Sequence, residues 1–299
     1  MKKLVVGLGE VLWDMLPGRK YLGGAPANFA YMTNLMGNEG VVASRVGTDT
    51  RGLEATRRME VLGLPVTSVQ RDGSHRTGVV NVEVDEKGLA RFEIEESSAW
   101  DFLEWTREWH TLAQMADAVC FGSLAQRSPQ SRETIRRFVG ATRTNAVRIF
   151  DVNLRAPFYS QEVLAESMKL ADVVKMNDDE VPKVMALGNL VHTDEKSSAQ
   201  RLIDLYDLKL VCITRGRRGS LLVSRTESRE QPGVPVKVAD TIGSGDAFTA
   251  ALVHEYLRSA SLELMGRVAN RVGAWVASQP GPTPTPKDGA LEHSLAEIR

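Results

Sequence analysis

Cysteine is scarce: 299 residues carry two, Cys120 and Cys212. Each sits in an apolar run, Val119-Cys120-Phe121 and Val211-Cys212-Ile213, with no second Cys or His at ligand spacing. That excludes a disulfide framework or a zinc-type cluster and predicts two buried strand thiols in a reducing compartment. Long apolar runs are missing too; none approaches the ~20 residues of a membrane-spanning helix. The start, Met1-Lys2-Lys3-Leu4-Val5-Val6-Gly7-Leu8-Gly9-Glu10, is basic, but Glu10 and Asp14 interrupt its apolar stretch. It predicts a first strand rather than a signal peptide, so the expected location is cytoplasmic. An excess of one charge is absent as well. The formal net charge of −1 gives no global field to attract nucleic acid. No repeat, low-complexity tract or linker divides the chain, so residues 1–299 are expected to form one domain.

What is present centres on Val236-Lys237-Val238-Ala239-Asp240-Thr241-Ile242-Gly243-Ser244-Gly245-Asp246. Val236 and Val238 alternate with Lys237 and Ala239, as a short strand would. Gly243 and Gly245 supply a turn poor in side chains. Phe248, Leu252, Tyr256 and Leu257 follow at helical spacing and predict an amphipathic helix. Backbone N–H groups at such a helix mouth, aided by the helix dipole, can hold a phosphate. No Lys-Ser/Thr follows the glycines, so this is not a Walker loop. Asp246 has two readings. It is a good N-cap residue type, or it is a base beside a phosphate, which implies phosphoryl transfer to a hydroxyl.

The rest of the chain alternates strand and helix. Strands are predicted at Leu4–Gly9, Val41–Val46, Ala118–Gly122, Arg148–Arg155 (ending in polar groups), Ala171–Met176 and Lys209–Thr214. Gly23-Gly24-Ala25-Pro26-Ala27-Asn28 opens a helix that Gly37-Asn38 closes, and Asn28 either caps it or meets a ligand. Trp100, Trp105 and Trp109 recur at helix-compatible spacing and are assigned to packing. Arg132, Arg136, Arg137, Arg143 and Arg148 are interleaved with Glu133 and read as a solvated face. Val80, Val82 and Val84 alternate with polar residues before Glu86-Lys87-Gly88, which predicts a hairpin within an otherwise α/β chain. Together these imply a mostly parallel sheet with helices on both faces. Polar clusters recur beyond the strands: Glu10–Asp14, Asn153–Arg155, Asn177–Glu180, Thr214–Gly219 and Asp240–Asp246. On one sheet edge they would form a catalytic cleft.

With those residues in view, the chain resembles the ribokinase-like (PfkB) carbohydrate kinases, and among them bacterial fructokinases, over roughly residues 4 to 288. One signature lies in Asp240–Phe248. The other lies in Gly23–Asn28, with Gly37 and Gly47-Thr48-Asp49-Thr50-Arg51-Gly52. The resemblance implies a three-layer α/β/α fold and a small β lid built mainly from about 77–96 plus part of 10–23. It implies Asp246 as catalytic base and Gly243-Ser244-Gly245 as an anion hole, although Ser244 stands where alanine is commoner. Asp14, Gly23, Gly24, Asn28 and Arg155 match sugar contacts. Asn177, Thr214, Gly216, Gly219 and Asn270 match nucleotide contacts. Glu180 matches a residue holding Mg2+ through water, and Asp240 with the Ile242 backbone matches a monovalent-cation (K+) site.

The expectation is therefore an ATP- and Mg2+-dependent sugar kinase, first of all a fructokinase. Its partners would be small molecules, with neither nucleic acid nor membrane, and a homodimer through the lid. Two alternatives stand beside it. One is a family kinase for 2-keto-3-deoxygluconate, ribose or a nucleoside. The other is a non-catalytic sugar- or nucleotide-binding protein.

Overall fold

Each strand of the main sheet sends neighbouring side chains to opposite faces, and both faces are covered. Val5 and Val6 of the first strand are buried in different clusters, as are Val119 and Cys120 further along. The computed structural model describes residues 2–84 and 90–286. In chain order its elements are β1 (Leu4–Leu8), β2 (Leu12–Leu16), β3 (Arg19–Gly23), α1 (Ala25–Leu35), β4 (Glu39–Gly47), α2 (Thr50–Val61) and β5 (Val69–Asp72). Then come β6 (Gly78–Val84), β7 (Ala90–Ile94), α3 (Arg107–Met115), β8 (Ala118–Gly122), α4 (Pro129–Gly140), β9 (Val147–Asp151), α5 (Gln161–Leu170) and β10 (Val173–Asn177). The last are α6 (Val181–Leu187), α7 (Glu195–Tyr206), β11 (Leu210–Thr214), β12 (Ser220–Ser224), β13 (Ser228–Gln231), α8 (Ser244–Tyr256) and α9 (Leu262–Ala277).

The large sheet runs β13-β12-β11-β10-β9-β8-β1-β4-β5. It is parallel from β11 to β5, with β12 and β13 antiparallel at one edge. One face packs α1, α2, α8 and α9 through Phe29, Met59, Leu252 and Val272. The other packs α3 to α7 through Trp109, Phe138, Leu164, Val184 and Leu202. Each such aliphatic or aromatic side chain contributes roughly 1.5–3 kcal/mol by leaving water. This is the expected three-layer ribokinase-like arrangement. Local chemistry starts the helices: Asp49 accepts the Gly52 N–H at 2.8 Å before α2, and Ser261 accepts the Leu264 N–H at 3.2 Å before α9.

A separate sheet, β3-β2-β6-β7, combines the segment after β1 with the predicted hairpin. Asp14 is registered against Tyr21 on one side and Val80 on the other, and Val80 against Ile94. The predicted turn Glu86–Gly88 lies outside the described residues.

Three local expectations are corrected. Residues 236–239 form no strand; Val236 and Val238 are exposed, and the segment hangs from α9 by the Ala239 N–H to the Ala277 carbonyl at 2.9 Å. Their alternation lines a cavity instead of pairing. Helix α8 is not amphipathic, because Ala247–Glu255 are all buried between α1 and α9. The tryptophan stretch is not one helix; a short turn at Ala99–Phe102 precedes α3, although Trp100 and Trp109 are buried as packing residues. Cys120 and Cys212 are free and buried, and burial pushes both thiols up, away from nucleophilic chemistry. Of the arginines, Arg132 and Arg136 meet Glu162, and Arg143 meets Asp117.

Candidate active site

Gly243 turns the chain into α8 in the left-handed region, with φ 77°. A Cβ there would lie 2.6 Å from Pro282 Cβ, so the turn admits only glycine. Before it, Asp240 Oδ1 accepts the Ile242 N–H at 3.0 Å, while Asp240 Oδ2 is buried with no hydrogen-bond partner. The Ser244 N–H and Oγ both turn back to the Thr241 carbonyl, at 3.2 and 2.8 Å. The amides of Gly245 and Asp246 fall in the first turn, where no carbonyl within the helix can accept them.

Asp246 Oδ2 accepts a hydrogen bond from Asn28 Nδ2 at 2.8 Å, joining the mouths of α8 and α1. Asn28 is thus not the cap of α1; Gly24 holds that position with φ 99°, and a Cβ on it would sit 2.4 Å from the Glu10 carbonyl. Asn28 Oδ1 is buried and unpartnered, an acceptor left for a hydroxyl. Burial, then the Asp151 charge, lift Asp246 to about 6, with Asn28, Lys175 and Arg155 opposing. Burial and Asp246 lift Asp14 likewise to about 6 against the pull of Arg155. Glu10, which accepts the Ala25 N–H at 3.3 Å, is lifted by burial to about 7. Arg155 is exposed on the loop after β9, within electrostatic reach of all three carboxylates. A Cβ on Gly23 would strike Asp14 Oδ2 at 2.1 Å, so this glycine makes room for the carboxylate.

On the other side of Gly245 lies a cavity of about 540 Å³, lined by Thr214, Gly216, Gly219, Ser244, Gly245 and Asn270 among others. Val236 and Val238 form part of its wall. Asn270 Nδ2 donates to the Gln231 and Pro232 carbonyls at 3.3 and 3.2 Å and so fixes the strand exit that frames the cavity. Gly219, with φ 96°, could carry no Cβ without meeting the Gln231 carbonyl at 1.9 Å.

Asn177 and Glu180 bond each other. The Asn177 side chain accepts the Glu180 N–H at 2.9 Å, and Glu180 Oε2 accepts the Asn177 N–H at 2.8 Å. Glu180 Oε1 takes the Leu154 N–H at 2.6 Å, which ties the loop of Arg155 to the end of β10. Asn177 does not line the cavity directly; it is registered against Thr214, which does. Among the described residues no group of three or more His, Cys, Asp or Glu could hold a metal ion.

Residues 12–288 match the family described as pfkB family carbohydrate kinase. The chain belongs to the PfkB family. It is 28% identical over 313 residues to an uncharacterized sugar kinase from Pyrococcus horikoshii, covering 98% of this chain and 96% of that one. The crystal structure of that protein superposes with a TM-score of 0.85 over 99% of each chain. Fructokinase from Escherichia coli is 27% identical over 264 residues, 82% of each chain. Fructokinase from Vibrio cholerae, as a double mutant bound to fructose, ADP and potassium ion, is 25% identical with a TM-score of 0.82, covering 99% of this chain and 98% of that one. The chain is accordingly a phosphotransferase of the carbohydrate kinase type, with an alcohol group as acceptor. No described helix is long and apolar enough to cross a membrane.

Lys175 and Thr249 escaped the reading of the sequence. Lys175 is buried in β10 with Nζ 3.1 and 3.2 Å from the two Asp151 oxygens, and Thr249 Oγ1 lies 2.9 Å from Asp151. A lysine inside Val173-Val174-Lys175-Met176 was the available signal, since a charge in a central strand needs a partner. Glu10 was visible only as part of a polar cluster.

Proposed function

We propose that this kinase transfers the γ-phosphate of ATP to a hydroxyl of D-fructose, with Asp246 as the base. The observation that carries the reading is the position of Asp246. Its carboxylate is bonded to Asn28 beside Asp14, and its own helix mouth borders the 540 Å³ cavity. The hydroxyl gives its proton to Asp246 as its oxygen attacks the γ-phosphorus, and the bond to the bridging oxygen of ADP breaks. Amides at the start of α8 face the charge that the moving phosphoryl group carries. Thr214, Gly216, Gly219 and Asn270 hold the nucleotide, and Asp14, Gly23, Gly24, Asn28 and Arg155 hold the sugar. The sheet β3-β2-β6-β7 is read as a lid that excludes water and as the surface of a homodimer.

The donor sets fit the ions such a reaction uses. Magnesium takes few protein ligands and keeps its waters, so a Glu180 whose oxygens already hold two amides suits contact through water. Bound there with the phosphates, it would neutralise their charge. Asp240 Oδ2, buried and unpartnered, with the Ile242 backbone, suits a monovalent cation.

Coupled ADP release across fructose, ribose, 2-keto-3-deoxygluconate and a set of nucleosides tests the acceptor. Fructose should support the highest kcat/KM; turnover confined to another acceptor would replace fructose in this reading. Asp14→Ala and Asn28→Ala should each weaken sugar binding by roughly 1–3 kcal/mol, the cost of an unpaired hydroxyl in a dry site. Nucleotide affinity, titrated separately, should hold; equal losses for both ligands would contradict the assignment.

The raised carboxylates give a pH prediction with two signs. Asp246 works as a base only when ionised, so kcat/KM should climb about tenfold per unit below about pH 6 and flatten above it. Stability of the ligand-free enzyme should move the other way. Asp246, Asp14 and Glu10 hold protons when folded that the unfolded chain releases near its ordinary values of 3.8 and 4.5. Their contribution is complete below those values and is lost as pH rises to about 7. Melting midpoints from pH 4.5 to 7.5 would show whether that loss occurs.

A further inference from the structure

Helix α8 rests on a buried charge. Lys175 is 7% exposed and shares the face of β10 that carries Val173, the face covered by α8 and α9. Burial works against its charge, but Asp151, then Glu180 and Asp246, outweigh it and hold the ammonium protonated. A buried ion pair is a poor way to stabilise a sheet, because well-packed apolar residues usually do as well or better. Its neighbours suggest another use. Thr249 Oγ1, inside α8, lies 2.9 Å from Asp151 Oδ2 and 2.9 Å from the Gly245 carbonyl. A Cβ on Gly245 would be 3.3 Å from Lys175 Nζ. Lys175, Asp151 and Thr249 thus form the floor beneath the turn that borders the nucleotide cavity.

An anion bound at that turn would meet Asp151 from below. We propose that Lys175 is a positioning residue for phosphoryl transfer. It neutralises Asp151 and locks it to Thr249, so that the floor under Gly245 and Asp246 carries no net negative charge. This rests on the reading of Asp246 as the base. The groups facing Asp246 are Asn28 on α1, Asp151 on β9, Lys175 on β10, Cys120 on β8, Arg155 after β9, and Glu10 and Asp14 after β1 and on β2. Those facing Lys175 are Asp151, Glu180, Asp246, Cys120 and Cys212. Asp151 opposes ionisation of Asp246 and Lys175 favours it, so removing each alone should shift the base in opposite directions.

The test measures kcat against pH, per folded molecule, for wild type, Lys175→Met, Asp151→Asn, the double variant and Asp246→Asn. Lys175→Met should lose roughly tenfold in kcat at pH 7 and move its acid limb up by at least about half a unit, from an uncompensated carboxylate beside the base. Asp151→Asn should move the limb down. The double variant, which lacks the favouring lysine as well, should place the limb above that of Asp151→Asn. A purely structural lysine would change the amount of folded enzyme and leave every limb in place, and that result overturns the proposal. Where Lys175→Met does not fold, the downward shift of Asp151→Asn and the higher limb of the double variant relative to it decide it. Asp246→Asn is read separately. If it keeps wild-type turnover, the base assignment fails; if it loses turnover while the limbs stay fixed, only the role of Lys175 fails.

Discussion

Asp246→Asn should lower kcat by about 10²–10⁴, the usual worth of a general base, or about 3–5.5 kcal/mol at 1.36 per decade. Asn has nearly the same shape and still occupies the first turn of α8, but it cannot take the hydroxyl proton. The structure weakens the competing view of Asp246 as a mere cap. The cap position belongs to Gly243, and no side-chain cap bond exists at this helix start. The carboxylate instead accepts from Asn28, on a helix 218 residues away in sequence. Burial lifts its proton affinity to about 6, which costs stability in a structural role and suits a base working near neutral pH. The variant should therefore fold, bind ATP and melt no lower than wild type. A kcat within a few-fold of wild type, on protein shown to be folded, would remove the base from this reading.

The parallel sheet, the strand ends that carry polar clusters and the helix mouth at Gly243 were legible because each rests on local pattern: apolar strands, glycine turns and spaced helices. The Asn28–Asp246 bond was not, since nothing local to Asn28 separates a cap from a partner on a distant helix. Residues 236–239 misled because alternation is a period, and a period does not say whether a second strand lies alongside. Here the neighbour is a cavity. Helix α8 misled for the opposite reason. The spacing of Phe248, Leu252, Tyr256 and Leu257 marks one apolar face but says nothing of the other, which is buried too, with the Thr249 hydroxyl against Asp151. Asn177 and Glu180 were legible as a pair, and their bonds to each other's amides explain the spacing without any ligand.

The second large effect is expected at Gly243. An L residue at φ 77° is strained by about 1–2 kcal/mol before any contact is counted. The added Cβ would also meet Pro282 Cβ at 2.6 Å and Cα at 2.8 Å. Pro282 cannot easily withdraw, because its loop is fixed on both sides. Tyr31 Oη donates to the Pro284 carbonyl at 2.8 Å, and the Tyr21 ring closes on Gly281, where a Cβ would be 2.8 Å from Cε1. The turn must therefore yield, and its amides tilt away from the transferring group. Displacing one such donor typically costs about 10²–10³ in kcat. Gly243→Ala should lose that much, with little change in sugar affinity, since Asp14 and Asn28 stand on β2 and α1. Gly37 supplies the control. Its φ of 86° imposes the same backbone strain, but a Cβ there meets nothing within 4 Å. Gly37→Ala should lower the melting midpoint and leave kcat intact. If the two variants lose stability alike and Gly243→Ala still turns over at the wild-type rate, the geometry of this turn is not what the reaction depends on.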